Sequence, residues 1–179
     1  MNGLELERSI MQNAMTSRLF SGIYSADLLP KPKLVPSFSI VNTDSFTGAG
    51  EHWLALYFHN AAPSTVEIFD SLANKCPSKR LLERLKELGY STILFNNNGN
   101  ALQSLKSNTC GAHCLFYAYI KCTKNLSLQV FLNEHYTSDR LYNDCMVLYF
   151  ANKKFKLPAI CMERMLRTTK CDKIKNVSN

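Results

Sequence analysis

An α+β fold is predicted by the order of patterns along the chain: strand-like runs cluster in the middle, with helix-like runs before and after them. Two adjacent runs, HWLALYF and TVEIFDS, are separated only by the turn HNAAPS, as in an antiparallel hairpin. The third observation sets the centre. A polar loop ends at Cys110, and an apolar helical pattern then runs to about Lys124. A small central sheet, mixed or antiparallel and flanked by helices, is therefore expected, with Cys110 at the N-terminus of a central buried helix.

The elements follow in order. Residues Leu4 to Leu19 carry apolar positions at helical intervals, which predicts a first helix. LLPKPKLVP, with prolines at 30, 32 and 36, reads as an extended connector. SFSIVNT reads as a strand and DSFTGAGE as a glycine-containing loop before the hairpin. PSKRLLERLKELG has proline at its start, apolar residues at helical spacing and glycine as its stop, and so is a helix. YSTILFN is a short strand and NNGNALQSLKSNT a polar loop. Beyond the central helix, two or three more helices are expected over 127–169, with a frayed end at CDKIKNVSN.

A chain of 179 residues, 46% of them apolar, suits a single globular domain over 1–179. No apolar run reaches membrane-span length, and MNGLELERSIMQNAM lacks the layout of a signal peptide, so an intracellular protein with no membrane partner is expected. Seven cysteines cannot all pair within the chain, and free thiols are the default. Cys110, His113 and Cys114 lie close together, but no second ligand pair follows at finger-like spacing, so no metal is expected. The net charge of +7 is uneven: 152–179 carries +6 of it. Such a basic segment is either a solvated tail or a salt-sensitive contact for nucleic acid.

A nucleophilic cysteine must be a thiolate, and a helix N-terminus favours that charge. Ser107, Asn108 and Thr109 are cap-type residues just before Cys110, and Gly111 is expected to keep the backbone beside the thiol open. Of four histidines, His52 is the candidate base, because it begins a strand after a glycine-rich loop and can face a cleft. His59 and His135 are expected at the surface; His113 lies one helical turn from Cys110. Asp70 closes the second hairpin strand, and the start of one strand lies beside the end of its antiparallel partner, so Asp70 is the candidate to orient His52. Turn capping is an equal reading of Asp70. Cys114 reads as a buried helix residue; Cys76, Cys122, Cys145, Cys161 and Cys171 have no assigned partner.

In order, IVNT at 40–43, Gly50, His52-Trp53, Phe69-Asp70, and Gln103 followed after six residues by Cys110-Gly111 resemble the adenovirus protease family. Relatives of that family occur in virophages and Maverick/Polinton transposable elements. LFSGIYSADLLP is also similar to the segment before the first strand of adenain, so the resemblance covers about residues 17–122. It implies a papain-like, adenain-like cysteine protease fold. It also implies an endopeptidase that cuts viral or transposon-encoded precursor and capsid proteins next to small residues such as Gly during particle maturation. Cys110 would be the nucleophile, His52 the general base and acid, Asp70 the orienting acid and Gln103 the oxyanion donor, with Trp53 and Gly111 beside the substrate cleft.

Adenain has Glu at the position of Asp70. Its disulfide-linked peptide cofactor finds no counterpart cysteine between Cys76 and Cys110. No cofactor is then required, while stimulation by DNA is compatible with the basic segment. A monomer, in the host cytoplasm or nucleus and in the virion, is expected. Two alternatives share part of this evidence: a protease of the same clan specific for ubiquitin-like modifiers, and a non-enzymatic nucleic-acid-binding protein.

Overall fold

The structure, a computed structural model, describes residues 1–62, 64–74, 78–96 and 99–156. Cys76, Cys161, Cys171 and all but the first five positions of the basic segment 152–179 lie outside them. The first helical pattern forms two helices, α1 (Gly3–Met11) and α2 (Ala14–Ser17). Asparagines make the division. Asn2 caps α1 in a reciprocal box with Glu5, and the Asn13 side chain accepts from the backbone N–H of Met15 at 3.0 Å and of Thr16 at 3.3 Å, starting a second helix.

The strands are β1 (Phe20–Ser25), β2 (Ser37–Asn42), β3 (Trp53–Phe58), β4 (Thr65–Phe69) and β5 (Thr92–Phe95). They form a sheet in sequence order. β2, β3 and β4 are antiparallel neighbours, while β1 pairs parallel to β2 and β5 parallel to β4, so the sheet is mixed. The two parallel pairings need crossovers. The proline-rich connector supplies the first, and α3 (Lys79–Glu87) the second.

Alternation in the central strands gives the sheet two buried faces. Phe38, Ile40, Ala55, Tyr57 and Phe69 face one core with Leu6 and Ile10 of α1, and Val41, Leu54, Leu56, Val66 and Ile68 face the other with Leu81 and Leu85 of α3. α4 (Cys110–Lys124) fills the first core together with α5 (Leu128–His135) and α6 (Arg140–Asn152). Because α4 is packed from several sides, it is apolar nearly all round, which is why its sequence shows little amphipathic stripe.

Two contacts lock α4 against the hairpin. Phe69, the residue before Asp70, stacks on Tyr117 with ring centroids 4.9 Å apart and planes within 2°. Two residues upstream on β4, the buried Glu67 carboxylate accepts from the Tyr117 hydroxyl and pairs with Lys121 Nζ at 2.9 Å. The Lys121 ammonium also donates to the Leu126 carbonyl at 2.7 Å, so this buried pair is fully engaged. Phe69→Ala removes the stack and leaves a cavity between hairpin and helix. Denaturant unfolding should show a loss of about 3–5 kcal/mol; a change within error would show that α4 is held elsewhere.

Candidate active site

The loop that precedes His52 is tied back to the sheet. Asn42 Oδ1 accepts from the backbone N–H of Asp44 at 2.9 Å and of Glu51 at 3.2 Å, and Thr43 N–H donates to the His52 carbonyl at 2.9 Å. Gly50 sits in this loop at φ +88°, a left-handed conformation that disfavours a side chain. The asparagine of IVNT therefore closes the loop and sets where His52 emerges.

Asp70 follows β4 directly, and the β3–β4 register (Ala55 opposite Phe69) brings it beside His52. His52 Nε2 lies 2.7 Å from Asp70 Oδ1. The same oxygen accepts from Leu72 N–H at 2.8 Å, and Oδ2 accepts from the Asn74 side-chain amide at 2.8 Å. Behind it, Asn96, just after β5, bonds both backbone groups of Asp70, accepting from its N–H at 2.8 Å and donating to its carbonyl at 2.6 Å. The turn-capping and histidine-orienting readings of Asp70 are both present in this geometry.

Cys110 opens α4, where Thr109 occupies the cap position without using its side chain to cap the helix. The thiol lies beside the His52 ring and near the backbone of Trp53 and Gly111, and all three favour a charged sulfur. Asp70 takes Nε2 of the ring, which leaves Nδ1 for the sulfur. Burial works to raise the Cys110 pKa, but the His52 ring and the nearby Trp53 and Gly111 backbone outweigh it and hold the thiol below its ordinary range. Burial likewise lowers the His52 pKa, and the Asp70 and Cys110 partners overcome it, raising it to about 9. Asp70 is kept below the usual carboxylate range by the same pairing, against the opposing effect of its burial.

Gln103 is buried, with its amide orientation set by its partners. Oε1 accepts from the Ser71 hydroxyl at 2.6 Å and Nε2 donates to the Ser107 carbonyl at 3.0 Å. A carbonyl can only accept, so the nitrogen must face Ser107. Cys110, His52, Trp53 and Gln103 line one cleft of about 670 Å³, with the exposed Phe46 and Leu105 on two of its loops.

Other expectations change. Gly111 is buried, and a Cβ there would stand 3.1 Å from Met1 Cβ and 3.3 Å from the Leu6 methyls, so its missing side chain lets α1 pack closely on α4 rather than opening the cleft. His135 is buried against Phe116 and Phe131, with burial pushing its pKa down to about 4. It lies one turn after Phe131 on the inward face of α5, which its polar sequence neighbours conceal. His113 points away from the thiol and bonds Tyr136 and Asp144. Cys114 is fully buried with its pKa raised well above the ordinary thiol value by desolvation, Cys122 is pushed up to about 12 by burial, and Cys145 is exposed. Asn96, Ser71 and Asp144 carry no sequence signal of their own; they are common polar residues that only three-dimensional proximity distinguishes.

Among the described residues no group of three or more His, Cys, Asp or Glu side chains is arranged to hold a metal ion. No helix among them is long and apolar enough to cross a membrane.

No protein-family model matches the chain. Curated proteins do: it is 28% identical over 109 residues to the "SUMO-1 cysteine protease" of an African swine fever virus pig isolate from Kenya. It is equally similar to the "Cysteine protease" of a tick isolate of that virus from Malawi. The chain is homologous to viral cysteine proteases. Each match covers 58% of this chain and 40% of the relative, so the chain spans less than half the length of the curated relatives it matches. A crystal structure of the African swine fever virus protease superposes with a TM-score of 0.39 at 23% identity, over 68% of this chain and 45% of that one.

The electrostatics predict an activated thiol. Cys110 ionises below its ordinary value while His52 keeps its proton up to about pH 9. A thiolate–imidazolium pair therefore exists from the lowered thiol pKa up to about pH 9, and is lost above as the imidazolium deprotonates. Iodoacetamide labelling read by peptide mass should show Cys110 reacting with a midpoint below the ~8.5 of a free thiol. Labelling of Cys110 that rises only near 8.5 contradicts this.

Proposed function

We propose that the chain is a cysteine endopeptidase working through Cys110, His52, Asp70 and Gln103. The observation that carries the reading is that one imidazole lies beside the sulfur that begins α4 and is hydrogen-bonded to the carboxylate that follows β4. Homology to viral cysteine proteases supports it.

The Cys110 thiolate attacks the carbonyl carbon of the scissile peptide and forms a C–S bond, and the carbonyl π pair moves onto oxygen. That oxyanion is stabilised by the Cys110 backbone N–H and by the Gln103 Nε2 proton not given to Ser107. The tetrahedral intermediate collapses as the C–N bond breaks, and His52 gives its proton to the leaving amine. A thioester remains. His52, now neutral, takes a proton from water, the hydroxide adds to the thioester carbonyl, and the C–S bond breaks to release the acid and restore the thiolate. Asp70 holds the ring in register throughout and favours its cation.

Viral or transposon-encoded precursor and capsid proteins, cut beside small residues such as Gly during particle maturation, are the substrates proposed. The adenain-like order of motifs supports that choice. A second reading, a protease for ubiquitin-like modifiers, is favoured by the name "SUMO-1 cysteine protease" borne by some of the matched viral relatives. A nucleic-acid contact is proposed only through 152–179, most of which lies outside the described residues.

Cleavage of Gly-containing precursor peptides and of a modifier fusion separates the first two readings. Processing of the peptides supports maturation cleavage, and processing of the fusion alone supports the modifier protease. Cys110→Ala should abolish cleavage in either case. Gln103→Ala should keep the thiol reactive yet lower kcat by about 10²–10³-fold, the usual effect of losing one oxyanion donor. DNA binding with no cleavage of either substrate would sink the peptidase proposal.

A further inference from the structure

The buried carboxylate of Asp144, on α6, lies outside the four residues just described, yet its hydrogen bonds all go to the segment that carries two of them. Oδ2 accepts from the Ser104 backbone N–H at 3.1 Å. Oδ1 accepts from the Thr109 hydroxyl at 2.7 Å and from His113 Nε2 at 2.9 Å. Ser104 directly follows Gln103, Thr109 directly precedes Cys110, and His113 is one turn further along α4. On the other side of Gln103, Asn143 donates to the Leu102 carbonyl at 2.9 Å. Two consecutive residues of α6 thus hold the backbone on both sides of Gln103 and the side chain next to Cys110.

The partners leave little freedom. A carboxylate only accepts, so His113 carries its proton on Nε2 and its Nδ1 accepts from the Tyr136 hydroxyl, 2.9 Å away. The ring is fully buried, and desolvation keeps its pKa below the ordinary value despite Asp144, so it is neutral at pH 7. Thr109 spends its hydroxyl on Asp144 instead of capping α4, so its side chain does not engage the first N–H groups of the helix.

We infer that Asp144 is a positioning residue for the peptidase proposed above, fixing the loop 104–109 at both ends and so setting the separation between the Gln103 amide and the Cys110 backbone N–H. Those are the two donors that must converge on a single oxyanion. The inference rests on the peptidase reading. It gives a catalytic purpose to α6, a helix in which the sequence shows no motif. A displacement of either donor by about 1 Å costs on the order of 10²-fold in rate.

Asp144→Asn keeps the shape but puts an amide group where one carboxylate oxygen accepts. The test compares it with wild type on a peptide the wild type cleaves, with rates expressed per site titrated by iodoacetamide. A peptide aldehyde is measured in parallel, because its hemithioacetal oxygen occupies the oxyanion position, whereas iodoacetamide alkylation needs only the thiolate. The expected result is a fall in kcat of about 10²-fold. The aldehyde should weaken in step, while KM and the pH profile of alkylation stay unchanged.

Unchanged kcat per titrated site, or alkylation that falls together with kcat, overturns the inference. Should Asp144→Asn not fold, Thr109→Val is read in its place, with the same split at smaller size. A wild type that cleaves nothing removes the peptidase reading and this inference with it; an active wild type matched by its variants removes only the inference.

Discussion

The site depends on one imidazole standing between a thiol and a carboxylate. His52 reaches the Asp70 carboxylate at 2.7 Å and lies beside the Cys110 thiol, so three elements must meet at one ring: the start of β3, the turn after β4, and the N-terminus of α4. The hairpin register supplies the first meeting, because Ala55 pairs with Phe69 and places the flanking residues side by side. Packing supplies the second. Phe69 on Tyr117 and Glu67 on Tyr117 and Lys121 hold α4 against β4, while Leu6 packs where Gly111 has no side chain. The core is thus what sets the distance from sulfur to imidazole.

Two histidine–aspartate pairs lie close together, and their surroundings give them opposite properties. His52 faces the cleft and gains a thiol as well as a carboxylate, and these offset the cost of partial burial, so its pKa rises to about 9. His113 is fully buried and its second partner is a neutral hydroxyl, so desolvation prevails and its pKa falls. One ring is suited to carry a proton and the other to hold a shape. Pairing with a carboxylate alone does not make a histidine basic; the remaining partner and access to solvent decide it.

The residues that bear the chemistry are legible in the sequence because each lies at the boundary of a strongly patterned element. His52 immediately precedes a strand, Asp70 immediately follows its hairpin partner, and Cys110 opens an apolar helix. What supports them is less visible. β1 is a half-buried strand with polar Ser21 and Ser25 and with Gly22, and its parallel partner lies beyond a proline-rich connector, so local pattern does not announce it. The break between α1 and α2 rests on a single asparagine whose capping role competes with an unbroken apolar period. Asn96 and Asp144 are polar residues that are nevertheless buried, because their hydrogen-bond partners come from distant segments. Long-range hydrogen bonding leaves no periodic trace.

The most direct test of the account is the protonation of His52 itself, followed by nuclear magnetic resonance of ring-labelled histidine in wild type and Cys110→Ser. The account predicts that the His52 ring keeps both protons up to about pH 9 and that part of this elevation is lost when the sulfur is replaced. A midpoint near the ordinary histidine value of about 6.5, the same in both proteins, would mean that the ring and the thiol do not form a pair.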